Sequence, residues 1–242
     1  MEKFYGEDLA YIHDTGYGDL ARSAAAEVLR LLREEGITEG LVVDLGSGSG
    51  IFAGRMLEAG YDIAGVDYSE EMVSMAKWNA PGGKFETGSI FDYSIPPCRA
   101  VVSIGECLNY TFDDRNSMKT LGEVFERVYN ALEPGGFFLF DILEPGVNGS
   151  EKSQLGISEG KDWTIFLKKE EDTEKKTLTR DITIFRREGE LYRKSREVHT
   201  VNLYMKDEIK ELLREAGFRV SFIGGYNGME FRKGHTGFVR RK

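Results

Sequence analysis

Cysteine, basic charge and long apolar runs are all scarce in this chain, and each scarcity removes a class of function. Only two cysteines, Cys98 and Cys107, are present, too few for a disulfide framework, and no Cys/His cluster has metal-ligand spacing, so no metal is expected. No apolar run approaches the ~20 residues that span a bilayer, so no membrane partner is expected. The start, Met1 to Asp8, has no apolar core of the secretory type, and a cytoplasmic location is expected. Basic residues are outnumbered: the net charge is −9, and the one basic cluster is the tail Arg240-Arg241-Lys242. Nucleic-acid binders usually carry a basic footprint, so no nucleic-acid partner is expected. What remains is 242 residues, 40% hydrophobic and 30% charged, enough for one large domain or a domain with an insertion.

The densest information lies in Val42-Val43-Asp44-Leu45-Gly46-Ser47-Gly48-Ser49-Gly50. It reads as a buried strand, Leu41 to Leu45, then a glycine turn, then a helix opening near Ile51. Glycine, lacking Cβ, lets a ligand approach bare backbone, and the turn aims free N–H groups at a helix start. The pattern is Gly-x-Gly-x-Gly with an acid two residues before the first glycine. The dinucleotide pattern Gly-x-Gly-x-x-Gly would need its third glycine where this chain has Ile51.

Strands and helices then alternate. Helix formers fill residues 20–35, with apolar residues at helical spacing and Gly36 as a stop. A helix from Ile51 to Ala59 is followed by a strand Tyr61 to Val66 ending at Asp67, with Ser69 as N-cap of a helix to about Asn79. Short strands follow at Lys84 to Thr87 and Ala100 to Ile104, a helix from Arg115 to Leu132, and a strand Phe137 to Ile142. Continuous apolar strands alternating with helices predict a doubly wound α/β fold on a parallel sheet. After Gly146 the rhythm changes. Residues 147–160 read as a loop, and three β segments follow: Trp163 to Leu167, Thr177 to Phe185 and Leu191 to Tyr204. The charged run Lys168 to Lys176 reads as a solvated turn, and Glu188-Gly189-Glu190 as a hairpin connection. The expected division is therefore a main domain of residues 1–146 and 204–242, carrying an antiparallel β insertion of residues 147–203 that covers substrate or contacts a second copy in a homodimer. Its aromatics Trp163, Phe166, Phe185, Tyr192 and Tyr204 are expected to face inward. A helix, Lys206 to Ala216, and strands near Arg219 to Ile223 and Thr236 to Arg240 complete the main domain.

Two acids mark strand ends, where ligands of open α/β sheets bind. Asp44 ends the first strand and suits a ligand amine. Asp67 ends the second, about 20 residues beyond the glycine turn, the spacing at which an acid meets ribose hydroxyls. Tyr68 and Met72 would then flank a base.

In this order, Val43 to Gly50, Ala64-Gly65-Val66-Asp67-Tyr68-Ser69-Glu70-Glu71-Met72, Leu132-Glu133-Pro134-Gly135-Gly136 and Leu213-Arg214-Glu215-Ala216-Gly217-Phe218 resemble the class I S-adenosylmethionine-dependent methyltransferases. The resemblance covers about residues 38–145 and 203–242. It implies a seven-stranded, mostly parallel Rossmann-like sheet ending in a reversed hairpin, with S-adenosyl-L-methionine as cofactor. Asp44 would hold the methionine amine, Gly46, Ser47 and Gly48 would admit the methionine part, and Asp67 would bind the ribose. Thr87-Gly88-Ser89-Ile90-Phe91-Asp92 matches the adenine loop, with Ser89 where the family often has an acid; the resemblance implies that Ser89 and Ile90 would be the contacts there. Ser103 to Tyr110, with Gly105 and Glu106, should line the transfer site, and Leu108-Asn109-Tyr110 resembles a small-molecule branch that also carries a β insertion.

The implied reaction is in-line methyl transfer to a small-molecule acceptor, whose lone pair must be held roughly 3 Å from the methyl. An oxygen nucleophile would also need a base. Glu106, His199 and His13 are the candidates, although a lone histidine is more often structural. A Tyr-rich N-terminal segment, with Tyr11 and Tyr17, is expected to form a helical lid over the cofactor. Cys107 has no neighbour in sequence to activate it as a nucleophile. A nicotinamide-dependent oxidoreductase and a non-catalytic nucleoside-binding module are the competing readings; the glycine spacing counts against the first and the intact Asp44, Gly46, Gly48, Asp67 set against the second.

Overall fold

The computed structural model describes residues 4–149 and 151–242; Met1, Glu2 and Lys3 of the N-terminal segment and Ser150 of the expected loop lie outside the described residues. In chain order the elements are α1 (Glu7–Gly16), α2 (Asp19–Glu34), β1 (Leu41–Leu45), α3 (Ile51–Glu58), β2 (Asp62–Asp67), α4 (Glu70–Asn79), β3 (Lys84–Thr87) and β4 (Cys98–Ser103). A 3-10 turn, Cys107–Asn109, precedes α5 (Met118–Ala131) and β5 (Leu132–Leu143). Then come β6 (Ser153–Glu159), β7 (Trp163–Asp172), β8 (Thr177–Glu188), β9 (Leu191–Asn202) and α6 (Lys206–Glu215). The chain closes with β10 (Arg219–Ile223), β11 (Gly225–Tyr226), β12 (Met229–Glu230) and β13 (His235–Arg241).

Seven strands form one sheet in the order β10-β13-β5-β4-β1-β2-β3. All neighbours are parallel except β13, which runs antiparallel to both β5 and β10. The expected doubly wound α/β sheet with a reversed hairpin is thus present. Its strands are apolar on both faces because period-2 alternation sends neighbouring residues into separate cores. Val42, Ala100, Val102, Phe137 and Leu139 join one core with α2, α3 and α4. Val43, Val101, Phe138, Phe140 and Ile142 join the other with α5 and α6. Ser69 caps α4 as expected, its Oγ accepting from the Met72 N–H at 3.2 Å. Among the described residues no helix is long and apolar enough to cross a membrane.

The insertion differs from expectation in three ways. It has four strands, in the order β6-β7-β8-β9, because β6 lies where a loop was expected. Ser153 to Glu159 has no buried residue, and its short alternation of Leu155 and Ile157 faces solvent; its pairing to β7 holds it as an edge strand. The charged run from Lys168 does not form a turn throughout: β7 continues to Asp172, paired with β8, and only residues 173–176 turn. Finally, strand alternation splits the aromatics. Trp163 and Tyr204 are buried, whereas Phe166 and Tyr192 are exposed on the outer face. The inner face of β7 and β8 packs Trp163, Ile165, Ile182 and Ile184 against Leu9 and Ile12 of α1.

Candidate active site

The carboxyl ends of β1, β2 and β4 open onto a cavity of about 1060 Å³, part of it open to solvent. Its floor is the glycine turn. Gly46 and Gly48 adopt φ of 88° and 51°, in the left-handed region. A Cβ on Gly46 would lie 2.4 Å from Cys107 Sγ, whereas one on Gly48 would meet nothing within 4 Å. Close packing therefore requires the first glycine, and open space lies beside the second. The Gly46 and Ser47 N–H groups donate to Val66 O, fastening the turn to β2.

Asp67 ties this turn to the next helix. One carboxylate oxygen accepts from Gly48 N–H at 2.8 Å and the other from Ser69 N–H at 2.9 Å. Burial raises its pKa against these hydrogen bonds. Asp44 is buried as well, lines the cavity and makes no side-chain hydrogen bond or ion pair with a described residue. Burial, with the Asp67 charge beside it, pushes the Asp44 carboxyl up to about 8. An ammonium group fits this carboxylate, because a cation would relieve both causes of the shift.

Tyr68, Met72, Ser89 and Ile90 line one side, as expected, and Gly105 and Ser47 another. Ser89 Oγ does not project freely. It donates to Asp113 at 2.5 Å and accepts from Phe91 N–H at 3.1 Å. Asp113 also lines the cavity, and its bond to Arg115 holds its carboxyl near 2 despite burial. The acid missing at position 89 is thus present in space from a distant loop, which no local motif announced. Phe112 was missed for the same reason.

The N-terminal segment covers the cavity with Tyr5, His13 and Tyr17. Tyr11 is not brought there. Its hydroxyl donates to Asp162 and Arg186 lies over its ring, because on α1 it faces the insertion. His13 presents a buried Nδ1 with no hydrogen-bond partner among the described residues, and burial lowers its pKa. It is therefore a neutral imidazole at neutral pH.

The other two candidate bases sit elsewhere. His199 is buried behind the cavity wall, bonded to Glu197 at 2.8 Å and edge-on to Phe112 and Tyr110. Glu106 does not line the cavity. It pairs with Arg180 at 2.5 Å, with His235 Nε2 3.5 Å away. Burial opposes ionisation, but the Arg180 charge and His235 bring its pKa down to about 2. A carboxylate so stabilised is a poor proton acceptor. His235, not singled out from sequence, also lies 4.0 Å from Asp141, which accepts the Gly105 and Glu106 N–H groups. Cys107 lines the cavity, but burial and nearby carboxylates raise its thiol pKa well above the usual value, which leaves it inert.

Comparison with known proteins agrees with this geometry. A family described as a methyltransferase domain matches residues 42–136. The Bacillus subtilis (strain 168) protein named "Putative methyltransferase YqeM" is 26% identical over 200 residues, covering 75% of this chain and 74% of its own. Two solved structures share the fold. An S-adenosylmethionine-dependent methyltransferase from Clostridium acetobutylicum has TM-score 0.81 at 18% identity, covering 96% of both chains. CalS10, an amino pentose methyltransferase from Micromonospora echinaspora solved with its S-adenosylmethionine bound, has TM-score 0.74 at 15% identity, covering 100% of both. With the family match falling on the glycine turn and both strand-end acids, and the fold shared over nearly the whole chain, the chain is a class I S-adenosylmethionine-dependent methyltransferase.

Proposed function

We propose that this methyltransferase acts on a small-molecule acceptor held in the cavity beneath the N-terminal segment. The observation that carries the reading is Asp44: a buried carboxylate facing the cavity with no side-chain partner among the described residues. Asp44 holds the methionine ammonium, Gly46, Ser47 and Gly48 admit the methionine part, and Asp67 accepts the ribose hydroxyls while bracing the turn. Tyr68, Met72 and Ile90 flank the adenine, and Ser89 with Asp113 meets its amine. Bound there, the cofactor supplies a methyl already activated by its sulfonium. Aromatic walls from Tyr5, Tyr110 and Phe112 exclude water beside it. His13 takes the acceptor's proton, since it is neutral and lines the cavity. The insertion, residues 147–203, is the substrate cover: its Arg180 donates to the Tyr110 hydroxyl at the cavity wall. CalS10, named for an amino pentose, supports a small acceptor in this fold.

Screening metabolites for production of S-adenosylhomocysteine identifies the acceptor, and formation of product only with peptide or nucleic-acid substrates would overturn the reading. Asp67→Ala should weaken cofactor binding at least tenfold, about 1.4 kcal/mol, in calorimetry; unchanged affinity removes the ribose role.

A further inference from the structure

One row of the insertion sheet is out of keeping with its neighbours. On the inner face, direct pairing sets Gln154, Lys169, Arg180 and His199 side by side across all four strands. The next inward row in one direction carries Leu167 and Ile182 with Glu197, and the next in the other carries Leu178 and Val201 with Glu171. Two cations and a histidine side by side, on a face turned to the main domain, must have their polar groups met. Three of its members are met: Arg180 by Glu106 and Tyr110, His199 by Glu197, and Gln154 by Asn148 O.

Lys169 is not. It is half-buried and makes no hydrogen bond or ion pair with any described residue. Its cross-strand partner is another cation, Arg180, a juxtaposition that costs stability in an antiparallel pair. Desolvation and the Arg180 charge lower its pKa against the opposing Glu106 charge, and Arg232 adds a third positive charge nearby. Glu106 gives Lys169 no hydrogen bond: one of its oxygens pairs with Arg180, and the other lies 3.5 Å from His235 Nε2. The His235 Nε2, buried and too far from Glu106 for a good hydrogen bond, is a further donor without a partner among the described residues. Donors outnumber acceptors around this point, and the imbalance sits next to the cavity, separated from it by Tyr110.

We propose that Lys169 and Arg180 seat an oxyanion, carboxylate or phosphate, at the far end of the methyl acceptor. The inference rests on the small-molecule reading above and narrows it: the acceptor carries its nucleophile at one end and a negative group at the other. Adjacent strands lie about 5 Å apart, so the anion reaches one strand beyond the Arg180 that touches the Tyr110 wall. Lysine supplies the point charge, and the Glu106 pair keeps the arginine fork oriented.

The test uses the full-length protein saturated with S-adenosylhomocysteine, titrated in amide NMR with acetate, inorganic phosphate or uncharged glycerol at constant ionic strength. Saturable shifts on β7 and β8 around Lys169 and Arg180 are expected with an anion and not with glycerol. Acetate acting more strongly assigns a carboxylate, phosphate a phosphate. Lys169→Gln should weaken the response at least tenfold, Lys169→Arg should restore it, and the outward-facing Lys168→Gln should leave it unchanged. Absence of saturable shifts with either anion, or an unchanged titration in Lys169→Gln, overturns the proposal. Shifts of the glycine turn on adding S-adenosylhomocysteine are read separately, so a failed cofactor pocket is distinguished from a failed anion seat.

Discussion

At the scale of single residues, the glycine turn separates two requirements that its sequence runs together. Gly46 and Gly48 both need the left-handed region, so alanine strains either one by about 1 kcal/mol. Only Gly46 adds a steric conflict, with Cys107 Sγ held in place by its bond to Ile104 O. Gly46→Ala should therefore lower thermal stability clearly, by about 2–4 kcal/mol in denaturant titration. Gly48→Ala should cost about 1 kcal/mol yet weaken S-adenosylmethionine binding more than tenfold, because its methyl projects into the open cavity. Equal stability losses in the two variants would show that the turn is not packed as described.

At the scale of elements, the cover over the site is held by a latch between α1 and β9. Glu197 accepts the N–H groups of Tyr5 and Gly6, at 2.8 and 3.0 Å, where α1 begins. A carboxylate there is favoured by the helix dipole. Tyr5 is tied twice more, through its carbonyl to Ser69 Oγ and its hydroxyl to Tyr110. Glu197→Ala should free this segment: amide exchange at residues 5–8 should accelerate at least tenfold, and cofactor dissociation should quicken, while Glu197→Gln keeps part of both. Unaltered exchange would mean that Ser69 and Tyr110 suffice. Such latches explain what was legible in sequence. The glycine turn, Asp44, Asp67 and the Ser69 cap lie in contiguous motifs whose spacing reflects local geometry, and the structure places each where the pattern put it. Tyr5, Phe112, Asp113, Lys169 and His235 reach the site region through long-range pairing, as when β13 returns beside β5. Tyr11 shows the limit of composition: it shares the helix with His13 but points to the insertion, and only α1's docking decides which face looks inward.

At the scale of the whole molecule, the site is a concentration of buried negative charge in a chain that is already acidic. Asp44 and Asp67 lie at the ends of the neighbouring strands β1 and β2, Asp141 lies near the end of β5, and burial raises all three pKa values. For Asp44 the folded value of about 8 exceeds the model-peptide 3.8. Between those values the folded protein binds more protons than the unfolded chain, so stability from this group falls as pH rises through that window. Glu106 and Asp113, both near 2, act oppositely, and their contribution is lost only in strong acid. The cofactor-free protein should therefore be less stable at pH 8.5 than at pH 6. Asp44→Asn should remove most of that slope, raising Tm at pH 8.5 by at least ~2–4 °C, about 1 kcal/mol, while weakening cofactor binding tenfold or more. A ligand ammonium beside Asp44 reverses the linkage, because the carboxylate must ionise to meet it. Binding of S-adenosylhomocysteine at pH 7 should then release up to about one proton, measured by calorimetry in buffers of differing ionisation enthalpy. Its thermal stabilisation should grow from pH 6 to pH 8.5. Proton uptake on binding, or a stabilisation that shrinks over that range, would place the ammonium away from Asp44. A site that destabilises the empty fold and is relieved by its own ligand ties the protein's stability to its cofactor supply, since ligand at a hundredfold its Kd adds about 2.7 kcal/mol to the folded state.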